Sequence, residues 1–244
     1  MAVKLTVLGC SGSFPGPGAA CSGYLVQSPH ATIVVDLGSG TLANLQRHID
    51  LADLDAIVLS HAHPDHWVDL AGLDVAYRYA QGREAVPVYG TAGTRQRAEH
   101  LLGHLKPTFA WQDLDDTSHI SIGDLTLDFS ATDHYVETFA VLMTADGVRL
   151  AYSADTGPGW SFAEFGVPID LALCEATFLA EREGEGILHL SARQAGSMAR
   201  DAGVDRLVLT HLEPRTDPAR SRAEGSAAFG REVSVAAEHA VFVV

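Results

Sequence analysis

The chain has 244 residues, of which 47% are apolar, and a formal net charge of −15. A chain of this length can bury a large core as a single α/β domain without disulfides or structural metals. Its three cysteines, Cys10, Cys21 and Cys174, form no disulfide framework, and the first residues contain no apolar run long enough for a secretion signal or a membrane span. We expect one domain over residues 1–244, located in the cytoplasm.

The apolar pattern alternates between strand-like and helix-like segments along the whole chain. In chain order it predicts strands at 3–8, 23–27 and 31–36, a helix at 41–48, a strand at 54–60, a helix at 67–79, a strand at 86–89, a helix at 94–105, strands within 120–129 and at 138–144, 148–153 and 169–174, a helix at 191–202, a strand at 206–210, helix after 217 and a strand at 240–244. Both halves therefore contain strands and helices, which favours an αββα four-layer sandwich of the α/β class.

The negative charge bears on what the protein binds. Sixteen basic side chains stand against 31 acidic ones, and contacts from Lys and Arg to phosphates supply most of the non-specific affinity for nucleic acids. Long RNA or DNA is therefore a disfavoured partner, and a small-molecule substrate is expected. Bound cations would neutralise part of the charge.

A dense group of metal-ligand side chains follows the apolar strand predicted at 54–60. The sequence there is His61-Ala62-His63-Pro64-Asp65-His66, which places four such side chains within six residues, immediately before a helix. Core packing does not account for this density, because several imidazoles and a carboxylate are costly to bury together if protonated. Neutral imidazoles, in contrast, are good ligands for Zn²⁺.

This HxHxDH pattern resembles the signature of the metallo-β-lactamase superfamily, and matches to the family's other ligands follow in the expected order. They are His134, Asp155 in Ser-Ala-Asp-Thr-Gly-Pro, and His211 in Leu-Thr-His, each after a predicted strand. The resemblance implies two divalent metal ions, one held by His61, His63 and His134, the other by Asp65, His66 and His211, with Asp155 bridging them. The nitrogen-rich ligands favour Zn²⁺, with Mn²⁺ or Fe²⁺ as alternatives. The expected reaction is hydrolysis.

Two further motifs resemble the ribonuclease Z branch of this superfamily. Cys174-Glu175-Ala176-Thr177 and His189-Leu190-Ser191 are similar to its HEAT and HST motifs, with Cys in place of the first His and Leu inserted in the second. The segment 8–13 (LGCSGS) also looks like its glycine-rich first loop. The resemblance implies a phosphodiesterase in which Asp65 and His189 are catalytic. Asp65 would accept the proton of the attacking water, and His189, ahead of a helix N-terminus, would protonate the leaving group.

Neighbouring residues have alternative interpretations. Glu175 would accept a hydrogen bond from His66 or another ligand, or would serve only as a capping carboxylate. Ser191 and Gln194 fit a capping box, which favours a structural role for Ser191 over a catalytic one. The charged segment 181–186 (EREGEG) is expected to be a solvated loop rather than a lid over the substrate.

One departure from ribonuclease Z narrows the range of expected substrates. Only 20 residues separate His134 from Asp155, whereas that family inserts its transfer-RNA-binding arm in this interval. Together with the segments LGCSGSFPGPG, LSHAHPDHWVDL and RLVLTHLEP, this makes the chain similar to arm-less atypical class II cyclic nucleotide phosphodiesterases. We therefore expect hydrolysis of small phosphodiesters such as cAMP and cGMP, and the resemblance also allows a homodimer.

Three other functions share the predicted ligands. A ribonuclease Z-like endonuclease that processes the 3′ side of transfer RNA would need an exosite or a basic patch, and neither is evident in the sequence. A lactonase or thioesterase of the same fold would give no role to His189. The full ligand set of a dinuclear site argues against the third function, a metal-binding module without catalysis.

Overall fold

The structure, a computed structural model, describes residues 3–244 and contains two sheets of seven strands each. The strands are β1 (Lys4–Gly9), β2 (Gly23–Ser28), β3 (Ala31–Leu37), β4 (Ala56–Leu59), β5 (Val86–Gly90), β6 (Phe109–Asp113), β7 (His119–Ile122), β8 (Leu125–Ala131), β9 (Phe139–Ala145), β10 (Val148–Tyr152), β11 (Ile169–Glu175), β12 (Val204–Thr210), β13 (Ser234–Val235) and β14 (Val241–Val243). The helices are α1 (Thr41–Leu45), α2 (Leu70–Ala76), α3 (Ala92–Leu102), α4 (Ala192–Asp201) and α5 (Pro218–Phe229).

The two sheets are built alike. The first has the order β14-β1-β2-β3-β4-β5-β6 and the second the order β13-β12-β11-β10-β9-β8-β7. In the first sheet β3 to β6 run parallel, and in the second β10 to β13 run parallel, while the remaining pairs are antiparallel. The carboxyl ends of parallel strands meet at one edge of a sheet, so the loops after β4, β10, β11 and β12 can converge.

Three apolar clusters separate the layers and confirm the predicted αββα sandwich. One lies between the sheets and includes Ile33, Val35 and Leu171. Val34, which lies between Ile33 and Val35 in the sequence, packs instead in the cluster under α1, α2 and α3. Ala172, next to Leu171, belongs to the cluster under α4 and α5. Both faces of the central strands are buried, which explains why their sequences read as continuous apolar runs.

Most predicted elements are present, but two strands were missed and three helices have other bounds than predicted. Strands β6 and β13 are half-exposed edge strands without a long apolar run. The helix predicted at 67–79 is α2 followed by a π-helical turn at Tyr77–Gln81, and the one predicted at 41–48 ends at Leu45. The helix predicted at 94–105 is α3, which ends at Leu102 because Gly103 adopts a left-handed conformation. The capping box of Ser191 and Gln194 at the start of α4 is confirmed. Within residues 3–244, no helix combines the length and hydrophobicity needed to span a bilayer.

Candidate metal centre

The seven predicted ligands come from four separate parts of the chain and meet at one edge of the sandwich. Three of those parts directly follow β4, β10 and β12, and the fourth joins β8 to β9. One group of donors consists of His61, His63, His134 and Asp155, and a second of Asp65, His66 and His211, with the donor atoms of each group within 4.8 Å of one another. The division is the one that the family resemblance implies.

Asp155 lies between the two groups and presents one oxygen to each. Its Oδ2 is 3.5 Å from Nε2 of His61, and its Oδ1 is 3.3 Å from Nε2 of His66 and 3.4 Å from Nε2 of His211. Oδ1 is buried and has no hydrogen-bond partner in the described part of the chain. A buried carboxylate oxygen without a partner costs free energy. A cation between the two groups would supply the interaction that Oδ1 lacks.

A carboxylate behind the second group fixes the tautomer of His66. Asp36, at the end of β3, is fully buried, and its Oδ2 accepts a hydrogen bond from Nδ1 of His66 at 2.7 Å. The same carboxylate accepts from the Ser60 backbone N–H, the Ser60 hydroxyl and the Tyr152 hydroxyl. Because Nδ1 of His66 carries the proton, Nε2 can turn a lone pair toward the donor cluster. The sequence analysis missed Asp36; the one signal was an acidic residue ending the apolar run of β3.

Two histidines of the first group, His61 and His134, are oriented in the same way. Ser60 donates its hydroxyl proton to Asp36, so its oxygen is left to accept from Nδ1 of His61 at 3.0 Å. The backbone carbonyl of Leu188 accepts from Nδ1 of His134 at 3.0 Å. Each of these bonds directs an Nε2 lone pair inward, where Nε2 of His61 lies 3.0 Å from Nδ1 of His63. Lone pairs at this distance repel unless a cation or proton lies between them.

Glu175 lies behind His189 and His211. Its carboxylate does not contact His66, as one interpretation of the sequence suggested, because Asp36 occupies that position. Instead, Oε1 of Glu175 accepts from Nδ1 of His189 at 2.8 Å, and Oε2 accepts from the hydroxyl of Thr177 at 2.9 Å. The Thr177 oxygen in turn accepts from Nδ1 of His211 at 2.9 Å. Glu175 therefore orients one predicted ligand through Thr177, a residue to which the sequence analysis gave no role.

His189 packs against the rings of two predicted ligands. Its ring stacks on His211 with centroids 5.4 Å apart and planes at 16°, and it meets the His134 ring edge-on at 5.1 Å. Burial lowers the pKa of His189, but the adjacent carboxylate of Glu175 outweighs it and raises the pKa to about 9. The carboxylate of Glu175 thus favours the protonated form of the imidazole that lies beside the donor cluster.

The two groups differ in electrostatics. Burial lowers the pKa values of His61, His63 and His134, so these three are neutral donors at pH 7. Burial has the same effect on His66, but the carboxylates around it, first that of Asp155, raise its pKa well above the usual value. The second group therefore lies in a strongly negative potential. A divalent cation gains twice as much from that potential as a proton does.

The local backbone is shaped to bring these loops together. Asp36, Ala154 and His211 have φ values of 58°, 50° and 56°, a left-handed conformation that non-glycine residues adopt at a cost of about 1–3 kcal/mol each. Gly12, in the first loop, lies against His211 so closely that a Cβ there would be 2.5 Å from the His211 carbonyl oxygen. The glycine-rich first loop thus closes one side of the centre.

Comparison with known proteins identifies the family. A model described as "Beta-lactamase superfamily domain" matches residues 31–212, about three quarters of the chain. The chain belongs to the metallo-β-lactamase superfamily.

Members with similar sequences cover nearly the whole chain. An uncharacterized protein of Mycobacterium tuberculosis is 37% identical over 94% of this chain and 88% of its own length. The crystal structure of YhfI from Bacillus subtilis, a metallo-β-lactamase fold protein, has a TM-score of 0.92 and 32% identity, covering 100% of this chain and 99% of that one. A ribonuclease Z from Haloarcula marismortui is 25% identical over 88% of each chain. The chain is thus a metallo-hydrolase of this superfamily, with a His/Asp cluster suited to divalent metals.

Proposed function

We propose that this metallo-hydrolase is a dinuclear phosphodiesterase that acts on small phosphodiesters such as cAMP and cGMP. The observation that carries the proposal is the position of His189, which is hydrogen-bonded to Glu175, stacked on the His211 ring and edge-on to the His134 ring. An alkoxide leaving group needs a proton, and His189 holds one beside the predicted ligands. Hydrolysis of a thioester releases a thiolate and gives this residue no comparable task, whereas a lactone also releases an alkoxide and is distinguished by the substrate panel.

The residues present fit two cations. His61, His63 and His134 would hold one ion and Asp65, His66 and His211 the other, with one oxygen of Asp155 toward each. The predominance of nitrogen donors favours Zn²⁺ over Mn²⁺ or Fe²⁺. When bound, such ions supply Lewis-acid polarisation of the phosphoryl oxygens and lower the pKa of water.

The protein's own side chains manage the protons of the reaction. As the bond between phosphorus and the leaving oxygen breaks, His189 donates a proton from Nε2 to that oxygen, while Glu175 holds Nδ1 and stabilises the protonated ring. Asp65 accepts the proton that the attacking water loses. Burial opposes ionisation of Asp65, but His66 and His211 lower its pKa well below the usual range. Asp65 is therefore a weak base and would release this proton to solvent rather than keep it.

The net charge and the short interval between His134 and Asp155 favour a small substrate. The net charge of −15 opposes a long polyanion, and the interval between His134 and Asp155 is filled by the β9–β10 hairpin alone. A ribonuclease Z-like activity is the second candidate, because a relative of that name aligns with most of the chain.

A substrate panel on metal-loaded protein distinguishes these functions. The panel contains cAMP, cGMP, bis-p-nitrophenyl phosphate, a transfer-RNA precursor, a lactone and a thioester. We expect turnover of the small phosphodiesters, with kcat/KM far above that for the precursor. A higher kcat/KM for cleavage at the 3′ side of the precursor would replace the proposal with the ribonuclease function. Turnover of the lactone or thioester alone would overturn both.

A further inference from the structure

A cavity of about 300 Å³ opens beside His189. Its other lining residues include Phe14, Tyr135 and Phe178, together with the charged pair Arg182 and Glu213. Thr177, which bonds to His211, also lines it. The volume is at the lower end of the range of small-molecule pockets, roughly 300–1,000 Å³. The cavity therefore has room for one small group of a substrate whose reacting bond lies at the metal centre.

Two other cavities are less suitable for this group. One of about 790 Å³ is lined by Asp116, Asp128 and Glu164 among others, and none of its lining residues is a predicted ligand. A second, of about 370 Å³, reaches His134 but is lined by Asp115, Asp116 and Glu137, whose carboxylates repel an anionic ester. Of these three cavities, only the one beside His189 lies next to the predicted metal ligands and is also lined by aromatic rings and a cationic side chain.

The walls of this cavity suit a flat ring with polar edges. Phe14 and Tyr135 are large and exposed, 46% and 58%, and offer surfaces on which a ring can stack. The guanidinium of Arg182 lies 5.5 Å above the Phe178 ring. Exposed aromatic rings beside a cation stack on nucleobases, with about 1–3 kcal/mol per base.

The ion pair of Arg182 and Glu213 gives the cavity a hydrogen-bond acceptor in a defined position. Nη1 of Arg182 donates to Oε2 of Glu213 at 2.9 Å, and Nε of Arg182 donates to Glu185 at 3.3 Å. Arg182 is thereby fixed between two carboxylates. Glu213 lines the cavity, and its other oxygen, Oε1, is not used by Arg182 and is available as an acceptor. An ionised carboxylate accepts hydrogen bonds but donates none.

We infer that this cavity binds the base of a nucleoside phosphodiester and that Glu213 selects bases with an exocyclic amino group. The inference rests on the proposed phosphodiesterase function and adds to it a specificity-determining residue. The amino group at position 6 of adenine, or at position 4 of cytosine, donates to Oε1 of Glu213. The carbonyl at the same position of hypoxanthine or uracil faces this carboxylate with a lone pair and is rejected. Guanine, which has a carbonyl at position 6, would present its 2-amino group instead.

The test compares cAMP, whose base has an amino group at position 6, with cIMP, whose base has a carbonyl group at that position. For the native protein we expect kcat/KM for cAMP to exceed that for cIMP by about tenfold or more, since rejecting the wrong group leaves a charged acceptor unpaired. In Glu213→Gln the amide can donate to the carbonyl as well as accept, so the ratio should fall to within about threefold, mainly through KM. Asp205→Asn is the matched control, because Asp205 forms a similar exposed pair with Arg231 at 3.1 Å. Its ratio should remain native.

The outcomes separate the two proposals. If the native protein hydrolyses neither cyclic nucleotide nor any other phosphodiester, the proposed function fails. If it hydrolyses cAMP and cIMP with equal kcat/KM, the phosphodiesterase proposal stands and the role of Glu213 is overturned, even without the variant. An unchanged ratio in folded Glu213→Gln overturns that role as well.

Discussion

The two groups of predicted ligands share Asp155 but differ in what lies behind them. The first group is in direct contact only with neutral acceptors, the Ser60 hydroxyl for His61 and the Leu188 carbonyl for His134. The second group is in direct contact with a buried carboxylate, because Asp36 accepts from His66. Each group also has a carboxylate that acts through a hydroxyl, Asp36 on His61 through Ser60 and Glu175 on His211 through Thr177. The second group also contains a carboxylate of its own, Asp65.

This difference predicts two unequal sites in one centre. A carboxylate behind a histidine makes the ligand nitrogen more basic than a hydroxyl or a backbone carbonyl does. The additional negative charge also favours a divalent cation, so the second group should hold its ion more tightly. The two ions should consequently differ in how readily they are removed.

The largest expected effect is that of removing the metal. A strong chelator should abolish activity, and it should lower the melting temperature by about 5–10 °C, because binding at about 100 times Kd contributes roughly 3 kcal/mol. A limiting chelator should leave a plateau near one ion per chain. His63→Ala should retain that tightly bound ion and His211→Ala should not. Loss of both ions in a single step from the native protein would contradict the prediction that the second group holds its ion more tightly.

Replacement of His189 tests the residue that contacts both groups. His189→Ala should lower kcat for cAMP by roughly 10²–10⁴-fold, the usual contribution of a general acid, with metal content unchanged. The loss on bis-p-nitrophenyl phosphate should be much smaller, because p-nitrophenolate leaves without a proton. His239→Ala, at a half-buried histidine that contacts His48 away from the metal centre, is the control. Equal losses on both substrates would assign His189 to phosphate binding instead, and loss of metal would make it a supporting residue.

A smaller effect is expected from the residues behind the ligands. Asp36→Asn removes the charge behind His66 and should weaken one of two Zn²⁺ binding events by about 10–100-fold, as measured by calorimetric titration of the metal-free protein. Ser60→Ala changes the contact behind His61 and should weaken the other event by less. Equal weakening of both events by Asp36→Asn would show that the two groups are not separately supported.

The sequence predicted the layers and the converging loops well, for a physical reason. Central strands buried on both faces leave apolar runs such as that of β4, and the loops after parallel strands must meet at one edge. Edge strands such as β6 carry no such signal, since one side of the strand is exposed. The π-helical turn at Tyr77–Gln81 depends on packing and is not visible in residue spacing.

The sequence also suggested the seven ligands but not the groups behind them. Ligand residues recur as a motif because the metal geometry demands those side chains at that spacing. Asp36, Ser60 and Thr177 are ordinary polar residues at strand ends, and only the fold shows that they contact His66, His61 and His211. Glu175 was recognised as a supporting carboxylate, but its partner could not be read from the chain because His66 and His189 are separated from it by different elements.

Metal analysis of the native protein and of Asp155→Ala tests the central claim most directly. Asp155 presents one oxygen to each group, and its buried Oδ1 has no partner among the described residues. Protein purified without chelator should contain close to two transition-metal ions per chain, and in Asp155→Ala both the metal content and the phosphodiesterase activity should fall sharply. Native protein that is fully active without any metal would contradict the account.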